Sequence, residues 1–462
     1  MIRIFRHYLP KGLLILGLSE MLVLWGALYA GVLLRSGSLS LSSSAPATSG
    51  GKAFLFIVVM LMVMTAFGLY QRDLKEGQWG YFPRLVVSLS LGFIVFCLLV
   101  PLVPSLILPP PTLAYVVLVA LCGTMLTRLL YVAIVGRAAI NRQVLVLGTG
   151  RRARAVQALA KGAPGRQGFH VVGFVSCGEK EDGQGDSVLC HRTSLPTFAK
   201  HNRVTEIVVG SRDRRLTLPI NELLECKLAG VQVMDLTTFF ERESGRIELE
   251  SLNGSWLVFA DGFRQGLVKT WVKRAFDIVA STVLLVLCSP IMVLTALLIK
   301  LEDNGPVFYR QERVGEGNRP FALLKFRSMR VNAEKDGAPQ WAAKNDHRVT
   351  RLGGFLRKVR IDELPQALNV LRGDMSFVGP RPERPFFVNQ LAESIPYYSY
   401  RHTIKPGITG WAQVRYPYGA SVEDAVEKLK YDLYYVKNNS LFLDLIILFQ
   451  TFHVVIFQDG AR

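Results

Sequence analysis

Four apolar runs fill the opening third of the chain, at about Leu13 to Leu34, Ala53 to Leu69, Leu85 to Leu108 and Thr112 to Val135. Each reaches the roughly 17 to 25 residues that a helix needs to cross a bilayer core. Four crossings return the chain to its starting side. Arg3, Arg6 and Lys11 lie before the first run, Arg72, Lys75 and Arg84 in the second loop, and Arg137 and Arg142 at the exit. The tight third loop, Pro109 to Thr112, carries no basic residue, so both ends of this region are placed in the cytoplasm. Glu20 and Arg128 fall inside the runs. They read either as a pathway through the bundle or as structural groups, with Arg128 snorkelling and Glu20 paired to another helix.

Composition agrees with a membrane chain. Half of the 462 residues are hydrophobic, and a mean hydropathy of +0.28 is high for a soluble protein. The net charge of +18 could serve nucleic acid or anionic lipid and phosphate. No aromatic RNA-binding motif or zinc-finger spacing accompanies it, so lipid and phosphate are favoured. Of six cysteines, Cys97, Cys122 and Cys288 sit in apolar runs, while Cys177, Cys190 and Cys226 are scattered without a C-x-x-C, as reduced packing residues would be. The first run is too long for a cleavable signal peptide and lacks a small-residue cleavage site.

A middle domain follows, at 142–265. The strand-like QVLVLG leads into Gly148-Thr149-Gly150-Arg151-Arg152-Ala153 and an Ala-rich helix, with FHVVGFV and EIVVGS as further buried parallel strands. This is a Rossmann-like pattern. The acidic residue expected about 20 positions on is absent, so a structural role outweighs nucleotide binding.

The remaining residues, 266–462, open with Lys273 and Arg274 and an apolar run to Leu301, interrupted by Ser289-Pro290. Pro290 cannot donate a backbone hydrogen bond and should bend the helix, and the Ser289 hydroxyl can help satisfy the freed carbonyls. Further on, Phe355, Leu356 and Val359 alternate with Arg357, Lys358 and Arg360, as in an interfacial helix. The run Leu441 to Phe457 reads as a buried or a membrane-seated helix.

The most informative stretch is RIDELPQALNVLRGDMSFVGPRPE, Arg360 to Glu383. Adjacent carboxylates Asp362 and Glu363 open a predicted helix whose buried face is Leu364, Ala367, Leu368 and Leu371, with Gly373 closing it. The helix dipole and the run Arg348, Arg351, Arg357, Lys358 and Arg360 would keep Asp362 ionised. Such a carboxylate reads as a nucleophile or metal ligand. Asp362 alone reads equally well as a helix N-cap.

It ends in VGPRPE (Val378 to Glu383), and two further blocks flank it: GPVFYRQERVGEGNRPFALLKFRSM (Gly305 to Met329) upstream and IKPGITGWAQV (Ile404 to Val414) downstream. Together these resemble the bacterial sugar transferase family, the monotopic polyprenyl-phosphate hexose-1-phosphate transferases, from about Lys273 to about Thr451. The resemblance implies a membrane protein that combines an α-helical bundle with α/β structure. Its parts would be a four-helix transmembrane region (1–141), a Rossmann-like regulatory or assembly domain (142–265) and a transferase domain (266–462) with a re-entrant membrane helix at about 272–301. That helix would enter and leave on the cytoplasmic face of the bacterial inner membrane, with Lys273, Arg274 and Lys300 meeting lipid headgroups.

By the same resemblance, a hexose 1-phosphate moves from a UDP-sugar, glucose or galactose by preference, to undecaprenyl phosphate, and exopolysaccharide synthesis begins. Asp362 is the nucleophile, Glu363 its partner and co-ligand of Mg2+, and Lys325 and Arg381 are phosphate contacts. Arg327, Glu383, Lys405 and Thr409 are further substrate-binding candidates. Singly, Lys325 and Arg327 could be strand charges, Arg381 part of a rigid proline turn, and PGITG a tight turn. A homodimer through the membrane and middle domains is compatible with the sequence. Two rivals remain. A membrane-bound nucleotide-sugar dehydratase would need a Tyr-x-x-x-Lys pair, which occurs nowhere in the chain. The other is a noncatalytic scaffold of a polysaccharide machine.

Overall fold

The computed structural model describes residues 2–4, 7–9, 11–36, 50–70, 81–99, 110–138, 142–148, 151–161, 169–175, 188–189, 194–210, 218–249, 252, 262–263, 266–331, 348–417, 419 and 421–457. The chain divides into two compact units, one holding Tyr8–Ser244 and the other Arg3–His7 with Gly245–Arg462.

In the first unit, helices Lys11–Ser36, Gly50–Ala66, Tyr81–Leu99 and Pro110–Ala138 occupy the four apolar runs. The first, third and fourth are long and apolar enough to cross a membrane, as is Leu267–Asp303 in the second unit. Gly50–Ala66 stops three residues before the end of its run because Gly68, at φ 75°, closes it. There Leu69 N–H reaches back to Met64 O and Gly68 N–H to Thr65 O, a Schellman closure. Arg72 and Lys75 lie outside the described residues, as do the side chains of Arg3, Arg6 and Arg137. Arg128 does not snorkel. Its Nε lies 2.7 Å from Glu20 Oε1 and its Nη1 donates to Leu69 O, while Tyr70 also donates to Glu20. Both charges are buried and tie three segments together, which favours the structural reading.

Beyond the helices, five parallel strands lie in the order Val188–Leu189, His170–Val175, Gln143–Leu147, Glu206–Val209 and Gln232–Asp235. The earliest strand is central, the pattern that follows when crossover helices cover both faces. Its side chains Val144 and Val146 enter one core and Leu145 and Leu147 the other, as alternation requires. Gly148 ends the strand, whereas Thr149, Gly150 and the side chains of Arg151, Arg152 and Ala153 lie outside the described residues.

Apart from Arg3–His7, the second unit runs from Gly245. Ile247 and Leu252 enter its main core with Trp411, Tyr434 and Tyr435, and Gly245 O accepts from Trp411 Nε1. The helix Leu267–Asp303 runs unbroken through Pro290 for 37 residues. Its first turns are anchored: Lys273 Nζ pairs with buried Asp444, Arg274 donates to Val370 O and Leu371 O, and Asp277 accepts from Ser376 Oγ and Phe377 N–H. Lys273 and Arg274 are therefore both engaged by protein groups. Near the other end, Ile299 packs with Phe326 and Leu356, and Lys300 Nζ closes on Asn304 O. Between these anchors the apolar side chains Val283, Val286 and Leu287 stay exposed.

Two further helices can be compared with their sequence readings. Leu356 is buried, while Phe355 and Val359 remain exposed, so the helix Arg351–Lys358 offers only part of its apolar set to a surface. Leu441–Phe457 buries Leu443, Asp444 and Ile447 against the core and is a packed helix on that face.

Candidate active site

The acids do not open a helix. Asp362 and Glu363 occupy a single 3-10 turn, Ile361–Glu363, and the following helix is Gln366–Arg372. The N-cap reading of Asp362 falls with this, since Pro365 precedes the helix. The turn forms because Arg360 adopts a left-handed conformation at φ 60° where the chain leaves the helix Arg351–Lys358. A non-glycine residue there costs about 1 kcal/mol or more, a strain seen at functional turns. The buried face also differs from the pattern: Gln366, Ala367, Asn369 and Val370 are buried, while Leu364, Leu368 and Leu371 are only partly so.

Asn369, fully buried, fixes the turn against the strand Pro320–Phe326. Its amide donates to Ala322 O at 2.8 Å and its carbonyl accepts from Leu324 N–H at 2.9 Å. Lys325 is the next residue. That strand pairs antiparallel with Phe308–Val314, Tyr309 lying opposite Lys325. Lys325 Nζ reaches Glu363 Oε1 at 2.9 Å, and Arg381 Nη2 reaches the same oxygen at 2.8 Å. The structure thus brings Asp362, Glu363 and Arg381 from residues 360–383 together with Lys325 from residues 305–329.

The charge balance differs from the expected one. Against the cost of burial, Arg381, Lys325 and Arg360 hold the Glu363 carboxyl well below the usual carboxylate range. Burial and then the negative Glu363 push Asp362 upward, and Lys325, Arg357 and Arg360 only partly offset this. The cations thus serve Glu363 first. Burial also lowers the Lys325 ammonium, with Glu363 opposing. Asp362 Oδ1 is buried and has no hydrogen-bond partner among the described residues, which leaves an electron-rich oxygen uncommitted beside a clamped acid.

The other candidates lie elsewhere or hold structure. Arg327 pairs with Asp303 at the end of the long helix. Glu383 lies 3.4 Å from Arg313 Nη1, and Thr409 Oγ1 is 2.6 Å from Thr451 Oγ1. Lys405 is partly buried close to Gly373 and Arg274. Gly407–Thr409 of PGITG is a short parallel strand against Ser376–Val378 rather than a turn. A Cβ on Gly407 would run into the Gly379 backbone, so the glycines permit close strand approach. A small cleft lies between Lys325, Gln366 and Arg381, and Arg313 lines it too. Arg313, Gln366 and Asn369 lie inside the quoted blocks, but no charge pairing or periodicity singled them out.

Residues 268–458 match the family model for bacterial sugar transferases. Over 240 residues the chain is 46% identical to the UDP-N-acetylgalactosamine-undecaprenyl-phosphate N-acetylgalactosaminephosphotransferase of Aeromonas hydrophila, covering 52% of this chain and 56% of that one. It is 36% identical over 292 residues to the UDP-glucose:undecaprenyl-phosphate glucose-1-phosphate transferase of Escherichia coli (strain K12), covering 62% of this chain and 61% of the relative. With the Caulobacter vibrioides protein of the same name the identity is 44% over 191 residues, 41% of this chain and 71% of the relative. The chain belongs to the bacterial sugar transferase family. It spans little more than half the length of the first two relatives.

Proposed function

We propose that this chain transfers a hexose 1-phosphate from a UDP-sugar to undecaprenyl phosphate and releases UMP. UDP-glucose and UDP-galactose are the first donors to test. The observation that carries this reading is the buried Asp362 Oδ1, without a hydrogen-bond partner among the described residues, beside a Glu363 held by Lys325 and Arg381. In the first step an Asp362 carboxylate oxygen bonds to the β-phosphorus as the bond to the bridging oxygen breaks, and UMP leaves with the electron pair. In the second, an oxygen of undecaprenyl phosphate attacks the aspartyl phosphosugar, and the carboxylate is the leaving group. Lys325 and Arg381 stabilise the charge that develops on the non-bridging oxygens.

Asp362 and Glu363 offer hard oxygen donors that fit Mg2+, and no third acid, His or Cys joins them among the described residues. The remaining positions would fall to phosphate oxygens and water. Bound there, Mg2+ would offset charge on the diphosphate. Glu383, Lys405 and Thr409 serve this reading as second-rank substrate contacts, and Arg327 serves it least, given its pairing with Asp303.

The long helix supports a re-entrant placement. Asp277 near its start and Ile299 near its end both bind the same unit, while exposed apolar residues lie between. A straight helix of this length would extend about 55 Å, more than a bilayer core. Entering and leaving on the cytoplasmic face of the inner membrane keeps Asp362 with nucleotide sugars. The five-stranded sheet acts as a Rossmann-like assembly domain, and a homodimer through it and the membrane helices completes the reading. The product would start exopolysaccharide synthesis.

A screen of UDP-sugars for UMP release, with label transfer to undecaprenyl phosphate, tests the proposal. UMP release with one donor, lost in Asp362→Asn, is the expected result. A folded wild-type chain that transfers no sugar phosphate from any donor would favour the scaffold instead.

A further inference from the structure

We infer that Arg401, buried away from the cleft, positions Arg381 by holding the backbone of the Pro380–Glu383 loop. The loop has two prolines and no regular hydrogen-bond ladder of its own, yet each of its four carbonyls is taken by a donor from another segment. Pro380 O accepts from Gly407 N–H, Arg381 O from Arg401 Nη2, Pro382 O from Arg313 Nη1 and Glu383 O from Val314 N–H, each at 2.9 Å. Proline removes two N–H donors, which shifts the grip toward the carbonyls.

Arg401 is suited to the task because it is itself immobilised. Nε and Nη2 lie 3.0 and 2.7 Å from Asp432 Oδ2, and Nη1 donates to Tyr398 Oη at 2.9 Å. Both members of the ion pair are nearly fully buried, at 5% and 2% exposure, so Arg401 presents no face to a substrate. Its remaining donor fixes the carbonyl of the very residue whose side chain clamps Glu363. A planar guanidinium with several donors can satisfy an acid, a phenol and a peptide carbonyl at once, which a lysine cannot. Rigid aim of a phosphate-binding group matters because about 1 Å of misplacement can cost about a hundredfold in rate.

The inference rests on Arg381 as a substrate contact, and a coupling experiment on the full chain in lipid nanodiscs separates the two claims. The probe is Arg401→Gln made together with Asp432→Asn, which removes the guanidinium without stranding a buried acid. UMP release should fall about tenfold or more in kcat/KM. In an Arg381→Ala background the same pair should change it by less than about twofold, because the group being positioned is gone. Arg313→Gln, which leaves the Arg401–Asp432 pair intact, should show the same non-additivity and stands in if the first variant does not fold. Equal losses in both backgrounds are what a merely structural role produces, and they would overturn the inference. An Arg381→Ala chain with wild-type UMP release would overturn both this inference and the substrate-contact reading.

Discussion

The Ser289 hydroxyl donates to the Val286 carbonyl at 2.8 Å. Val286 is four residues before Pro290, so its carbonyl is the one that loses a helical partner where proline has no N–H. The long helix therefore carries a proline and the local repair for it in adjacent positions.

Removing the repair should matter only while the proline is present. Ser289→Ala should cost about 1 kcal/mol in the wild-type helix and almost nothing in Pro290→Ala, where the backbone bond returns. Pro290→Ala should also favour a straight, spanning helix, giving mixed labelling of a cysteine placed at exposed Arg319. Labelling from one side only in that variant would reject a topological role for Pro290.

The two acids should separate on substitution. Asp362→Asn should abolish UMP release yet keep or raise the melting temperature, since it relieves repulsion from Glu363. Glu363→Gln should lose activity and also roughly 1–3 kcal/mol, because Lys325 and Arg381 lose their shared anion. An Asn variant retaining more than about a few per cent of turnover would rule out a nucleophile at position 362. The raised Asp362 also predicts an acid limb in UMP release above the ordinary aspartate range.

Buried His402 makes stability pH-dependent. Burial and then Arg401 push its imidazole down to about 3, against an unfolded value of about 6.5. Between these values the unfolded chain binds the extra proton, so stability falls as pH decreases through this window. His402→Gln should flatten that limb of the melting temperature against pH curve. Parallel curves for the two proteins between pH 7.5 and 5, roughly the upper part of that window, would contradict it.

The limits of the second unit can be tested by truncation. A fragment from Gly245 keeps Ile247, Leu252 and the Trp411 bond to Gly245 O, while one from Gly266 loses all three. Each fragment should release UMP, but the longer one should melt several degrees higher, as loss of buried side chains costs about 2 kcal/mol or more. A folded, lipid-bound 245–462 fragment without UMP release would show that preceding residues contribute directly to the site.

The sequence by itself determined the apolar helices, the parallel strands of the middle region and the candidate acids with Lys325 and Arg381. Run length and alternation give the first two and residue chemistry the acids, while Lys325 and Arg381 follow from the resemblance of whole blocks to the family. Only tertiary structure decided where the charges are used. Lys273, Arg274 and Arg327 read as surface or phosphate-facing cations, yet they bind Asp444, two helix-end carbonyls and Asp303. The acids sit in a turn rather than a helix because left-handed Arg360 redirects the chain, and no periodicity encodes that. Arg401 and Asn369 escaped notice for a related reason. The backbone carbonyls they hold lie 20 and 47 residues away, and a buried side chain bonded to distant backbone leaves no spacing pattern to read.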